Sequence, residues 1–154
     1  MMERQIIERL KNQSTWRLLG LSIITYFVYA AHYIYRQTKI INDYYNGTDK
    51  ISDGLVNSIL IFSYLSLFLF IGYLFAEDSH PIVSISKITD FISGILYIVW
   101  GFKARNRMNK ILQANELSNE WFHGLWTFLF TPLYFNYKVN HLHELEKQRN
   151  KGKA

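Results

Sequence analysis

The chain has 154 residues, no cysteine, a formal net charge of +5 and an aromatic share of 17%. Without cysteine there are no disulfides, no thiolate metal ligands and no cysteine nucleophile. A mean hydropathy of -0.03 averages very apolar stretches against polar ends and connections, the profile of a small polytopic membrane protein rather than of one soluble domain.

In chain order, Met1 to Leu10 is polar, and no small-residue cleavage site follows the first apolar run, so the start does not read as a signal peptide. Residues 16–37 (WRLLGLSIITYFVYAAHYIYRQ) form an aromatic segment interrupted near its middle. Residues 55–76 (LVNSILIFSYLSLFLFIGYLFA) carry no charge. At about 1.5 Å per residue they are long enough to cross a hydrocarbon core of about 30 Å as a transmembrane helix. Glu77, Asp78, Ser79, His80 and Pro81 make a short acidic turn, with Pro81 placed to start the next helix. Residues 82–102 form a second transmembrane helix. It contains Lys87 and Asp90 but runs uniformly apolar from Phe91 to Phe102, and Trp100 suits an interface.

Residues 103–117 (KARNRMNKILQANEL) put Met108, Ile111, Leu112 and Leu117 on helical spacing. This predicts a cytoplasmic amphipathic helix resting on headgroups or docking a partner. Residues 121–138 (WFHGLWTFLFTPLYFNYK) form a second aromatic segment, marginal in length for a crossing and interrupted at Pro132. The charged tail, 144–154, is expected to fray.

Basic residues flank both ends of each aromatic segment and follow the second transmembrane helix, whereas the 77–81 turn has no Lys or Arg. Four plain spans would put Lys103, Arg105 and Arg107 outside, against the bias of cytoplasmic loops toward Lys and Arg. The favoured arrangement is an all-α polytopic integral membrane protein in a single membrane domain. Only the middle pair spans, and the outer segments are re-entrant or interfacial; short spanning segments are the alternative. Both termini are then cytoplasmic. The outer segments also echo each other: an apolar run, a Thr (Thr25, Thr131), spaced tyrosines (Tyr29, Tyr33; Tyr134, Tyr137), a cation (Arg36, Lys138) and an Asn (Asn42, Asn140). Such pairing is what an internal repeat leaves behind.

The stretches STWRLLGLSIITYFVYAAHYIYRQTKIIND, ILYIVWGFKARNRMN and LYFNYKVNHL resemble the bacterial membrane-protein family catalogued as domain of unknown function 4234. The resemblance implies a bacterial cytoplasmic-membrane location and no reaction. Tyr26 and Phe27 stand where that family usually carries a glycine, which argues against a sharp backbone break there.

Lys87 and Asp90, three apart on one helix, are the intramembrane polar pair and could belong to an ion or proton path. The plainer reading turns Lys87 outward and gives Asp90 a partner on Ser86, Ser93 or a tyrosine of a neighbouring segment. Tyr26, Tyr29, Tyr33 and Arg36, repeated by Tyr134, Tyr137 and His141, make aromatic stripes. With Lys103, Arg105, Arg107 and Lys138, these form a basic aromatic belt able to hold a lipid phosphate or a partner, or simply to anchor the chain at the interface. His141, His143 and Glu144 lack metal-site spacing, and no hydrolase-elbow, zinc-protease, phosphate-loop or dinucleotide pattern appears. Ser63, Ser66, Gly72 and Gly94 suggest close helix packing.

The expected function is a non-enzymatic accessory or interaction protein of the bacterial inner membrane. It would need no cofactor or metal and would bind anionic lipids and a protein partner or second copy, but not nucleic acid. The alternatives are an oligomeric channel, carrier or lipid translocator using Lys87 and Asp90, and immunity to a membrane-targeted toxin.

Overall fold

In the computed structural model, residues 2–77 and 80–151 are described, with side chains from Gln5 onward. Asp78 and Ser79 of the acidic turn and the last three tail residues lie outside that set. Every element among the described residues is an α-helix. In order these are α1 (Met2–Leu10), α2 (Thr15–Ile24), α3 (Val28–Tyr44), α4 (Asp53–Tyr73), α5 (Pro81–Ile111), α6 (Gly124–Phe130) and α7 (Leu133–Lys151).

The two helices α4 and α5 are long and apolar enough to cross a membrane, and they pack along each other. Only 28% and 22% of their apolar stretches are buried inside the protein. A core helix of a soluble protein would be mostly covered. Here Phe68 and Phe91 are 73% and 69% exposed. Ser52 caps α4 by accepting from the Leu55 N–H, and Pro81 opens α5 as the sequence predicts, with His80 Nδ1 accepting from Ile82 N–H.

Each outer aromatic segment is two helices joined by a sharp reversal. The Tyr29 hydroxyl donates to Gln13 Oε1 at 2.5 Å; in a straight helix these residues would stand about 24 Å apart, so α3 runs back alongside α2. Likewise the His123 N–H donates to the Tyr134 hydroxyl at 3.0 Å, which brings α7 back beside α6. The second break falls at Thr131 and Pro132, as expected. The first falls at Tyr26 and Phe27, whose φ values of 47° and 65° are left-handed, a conformation that costs a bulky residue roughly 1–3 kcal/mol. The expectation of no sharp break without glycine is therefore overturned. Tertiary contacts hold the strain: Tyr26 stacks on Phe70 at 4.4 Å, and the Phe27 carbonyl accepts from Tyr97.

Both ends of each reversed segment meet at one end of the molecule. Before and after the first, Gln37 Nε2 donates to the Leu10 carbonyl, and Arg9 sits 5.7 Å over the Tyr44 ring. Around the second, Lys138 Nζ donates to the Asn119 carbonyl at 2.7 Å, and Arg149 pairs with Glu120 at 3.1 Å. The two hairpins are tied at their roots, where the Gln13 carbonyl accepts from both Asn136 and Asn140.

At this end lies a buried core that the sequence reading divided differently. Ile6, Ile7 and Leu10 of α1 are fully buried, together with Ile34, Ile41, Met108, Val139 and Leu142. The apolar face of residues 103–112 thus packs on its own chain rather than on headgroups. The helix stops at Ile111, with Gln113 left-handed at φ 47° and Leu117 fully outside. Trp100, expected at an interface, is 0% exposed and donates from its indole N–H to Thr38 Oγ1 at 2.8 Å. The tail is helical through Lys151, held by Glu120 and by a Lys11–Glu144 pair at 3.6 Å.

Candidate functional site

Ser63 and Ser66 lie on α4, ten and thirteen residues from its start, and Asp90 lies nine residues into α5. All three therefore sit about 14–20 Å along their helices, near the middle of the apolar pair. The tip of the first hairpin reaches this level at Tyr26, whereas the break of the second, at Thr131, rests on Gly101, about 16 Å further along α5. Between the tips and the helices is an open crevice of about 430 Å³.

Asp90, half-buried, accepts a hydrogen bond at Oδ2 from the Tyr26 hydroxyl at 2.9 Å. The left-handed backbone at Tyr26 carries this ring away from its helix and across to α5. Tyr97 donates to the Phe27 carbonyl at 2.8 Å, so Ser63 donates to the Tyr97 oxygen at 3.0 Å. Ser66 and Ser93 join at 3.2 Å. From the second hairpin, Phe128, Leu129 and Thr131 close the opposite wall, and the Thr131 hydroxyl donates to the Thr127 carbonyl. Gly101 makes that approach possible, because a Cβ there would lie 2.5 Å from Thr131 Oγ1.

Lys87 does not take part. It is exposed, outside the crevice, and among the described residues no ion pair joins it to Asp90. The partner of Asp90 is a tyrosine of a neighbouring segment, in keeping with the plainer sequence reading. Ser63 and Ser66 mark the α4–α5 contact as expected, and Gly72 allows Ile82 to approach, since a Cβ would meet its Cδ1 at 2.5 Å. Gly94 instead borders open space in the crevice.

The belt residues are scattered in their roles. Tyr33 is fully buried, Tyr29 bonds Gln13, and Tyr134 bonds the His123 amide. The first stripe is broken, because Tyr26 lies outside α3. Arg105 Nε donates to the Phe122 carbonyl at 2.7 Å, with Trp121 under its guanidinium. Arg107, only 7% exposed, donates to the Asp49 carbonyl and pairs with the Asp49 carboxylate at 3.2 Å. Lys138 is buried, and burial pulls its ammonium below the usual lysine range. Arg36 and Tyr137 remain exposed and Lys103 is half-buried, with Arg36 5.7 Å over the Tyr29 ring.

Sequence reasoning missed Asp49 as the counter-charge of Arg107 and Lys110, and Gln13 as the hub between hairpins. Asn136 and Asn140, one turn apart on α7, were the available signal for the latter.

Fold and crevice together define an all-helical protein with two candidate membrane-spanning helices, braced by the turns of two helical hairpins, the first near mid-length and the second at Gly101. The chain belongs to the family described as Domain of unknown function (DUF4234), which matches residues 13–110. The match begins just before α2 and ends near the end of α5, so it takes in the first hairpin and the long pair. The second hairpin, with the closing LYFNYKVNHL, lies beyond it. No curated protein and no solved structure matches the chain.

Proposed function

We propose that this chain is a non-enzymatic binding protein of the bacterial cytoplasmic membrane. In this reading α4 and α5 cross the bilayer, the two hairpins enter it from the cytoplasmic side, the first to about half depth and the second to about a third, and both termini are cytoplasmic. The lengths agree: α2 has ten residues and α6 seven, or about 15 Å and 10 Å against a hydrocarbon core of about 30 Å.

The single observation that carries the reading is that the first backbone break meets a carboxylate midway along the apolar pair, in a crevice whose far wall is the second hairpin. Irregular backbone at membrane depth persists only where protein covers it or where it lines a cavity. A carboxylate at that depth is costly and marks a ligand or ion pathway. Interrupted segments meeting at the midplane are the usual construction of solute sites in membrane carriers. The ligand is therefore taken in the crevice, while Arg36, Lys103 and Tyr137 hold anionic headgroups at the cytoplasmic end and leave a surface there for a protein partner or second copy.

A second reading, an oligomeric channel or carrier, draws on the same Asp90. Reconstitution into liposomes separates the two. Proton, cation or lipid flux absent from the wild type, with lipid retained on the purified protein in native mass spectrometry, supports the binding protein. Flux that disappears in Asp90→Asn supports the carrier. Neither flux nor retained lipid refutes both.

A further inference from the structure

The polar groups facing the crevice are oxygens throughout. Asp90, Ser63, Ser66, Ser93, Tyr97 and Thr131 line it, and no Lys, Arg or His does. The hydroxyl protons are largely committed elsewhere: Tyr26 donates to Asp90, Tyr97 to the Phe27 carbonyl, Thr131 to the Thr127 carbonyl. What remains toward the open space is lone pairs and one hydroxyl proton, that of whichever of Ser66 and Ser93 accepts from the other. Among the described residues, Asp90 Oδ1 accepts no hydrogen bond, and the nearest lysine along the helix, Lys87, lies outside the crevice. A carboxylate in apolar surroundings with no internal cation is stabilised strongly by an external one.

The shape narrows the choice of cation. About 430 Å³ is in the range of organic-ligand pockets and far larger than a bare metal ion needs. The hydroxyls are tied in pairs rather than drawn in around one point, unlike the close oxygen shell of a hard metal ion. Apolar and aromatic surface makes up the remaining walls, from Phe27, Ile98, Phe128 and Leu129. Aromatic faces favour ammonium groups over neutral or anionic heads.

We infer that the Asp90 crevice binds an ammonium group carried on an apolar body, the head meeting Asp90 and the body lying along Phe27, Phe128 and Leu129. This rests on the crevice being the ligand site of the proposed binding protein. The ammonium could be the headgroup of an aminophospholipid or a free amphipathic amine. Either meets the same residues.

The test uses the full chain in nanodiscs of phosphatidylcholine and phosphatidylglycerol and three photoreactive probes of one alkyl length, ending in ammonium, alcohol or carboxylate. Labelled residues are located by mass spectrometry. The expected result is labelling of the 26–27, 90–98 and 128–131 stretches by the ammonium probe, at least about tenfold weaker in Asp90→Asn and unchanged in Lys87→Gln. Tyr26→Phe, which frees Asp90 Oδ2, should label as strongly as wild type or more. That variant keeps the test valid if Asp90→Asn fails to fold. Adding phosphatidylethanolamine to the discs separates the sources: competition points to a lipid headgroup and persistence to a free amine, and both uphold the ammonium site. Equal crevice labelling by the alcohol or carboxylate probe, or unchanged labelling in Asp90→Asn, overturns the ammonium assignment and leaves the crevice as a binding site. Labelling of the crevice by none of the three overturns both.

Discussion

Gly101→Ala is the sharpest test of how the second hairpin seats on α5. The new methyl would stand 2.5 Å from Thr131 Oγ1, 2.6 Å from Cγ2 and 3.1 Å from Cβ, where ordinary contact begins at 3.4 Å. The turn must retreat by about 1 Å. Thr131 cannot simply rotate away, because its hydroxyl is bonded to the Thr127 carbonyl and Pro132 follows. Overpacking of this kind costs about 1–3 kcal/mol, and each kcal/mol lowers the melting temperature of a chain this long by about 2–4 °C. Thr131→Ala alone should cost about 0.5–1.5 kcal/mol for the lost bond. The double variant keeps only the 3.1 Å contact, so it should be less destabilised than the sum of the singles by about 1 kcal/mol. Thermal unfolding in detergent, followed by circular dichroism, reads all four proteins. Additive losses within about 0.5 kcal/mol would mean that Thr131 does not rest on Gly101 and that the hairpin is docked elsewhere.

Two further outcomes follow from the polar end of the molecule and the core beneath the crevice. Trp100→Phe should lose about 2–4 kcal/mol, because it opens space beside Phe135 and leaves the buried Thr38 hydroxyl without the indole donor; Thr38→Val should recover part of the loss, and failure to recover any would mean that packing alone is at stake. The Tyr45 hydroxyl first, then Arg107 and Lys110, hold the Asp49 carboxyl below its ordinary value of 3.8. Its folded-state pKa being depressed, its contribution is present above the unfolded value and lost as pH falls through the folded one. Melting temperature should thus drop more steeply below about pH 4 in wild type than in Asp49→Asn, and parallel curves would remove Asp49 from the account.

The long apolar pair was legible because 22 consecutive uncharged positions admit few other solvents, and the second break because proline removes a donor. The first break was not. Tyr26 and Phe27 look like unremarkable helical aromatics, and only the partners waiting on α4 and α5, Phe70, Asp90 and Tyr97, make a left-handed turn affordable. Asp90 stood out by sequence as a carboxylate in an apolar run, and a tyrosine of a neighbouring segment was among its expected partners, but which tyrosine was beyond local spacing, because Tyr26 lies 64 residues away. The basic belt misled for a related reason. A cation beside an apolar helix reads as surface charge unless its distant acceptor is known, and for Arg107 that acceptor is Asp49, 58 residues off. Helix α1 was overlooked because Ile6, Ile7 and Leu10 are diluted among charges, although their one-face spacing was there to be read.

The central claim is that the two broken segments dip into the bilayer and return, leaving a single external turn. A chain without cysteine permits a direct check with Thr48→Cys and Asn106→Cys in intact cells, using an impermeant maleimide. The account predicts that both react only after the membrane is permeabilised, whereas Glu77→Cys reacts at once. Labelling of position 48 or 106 from outside would contradict it.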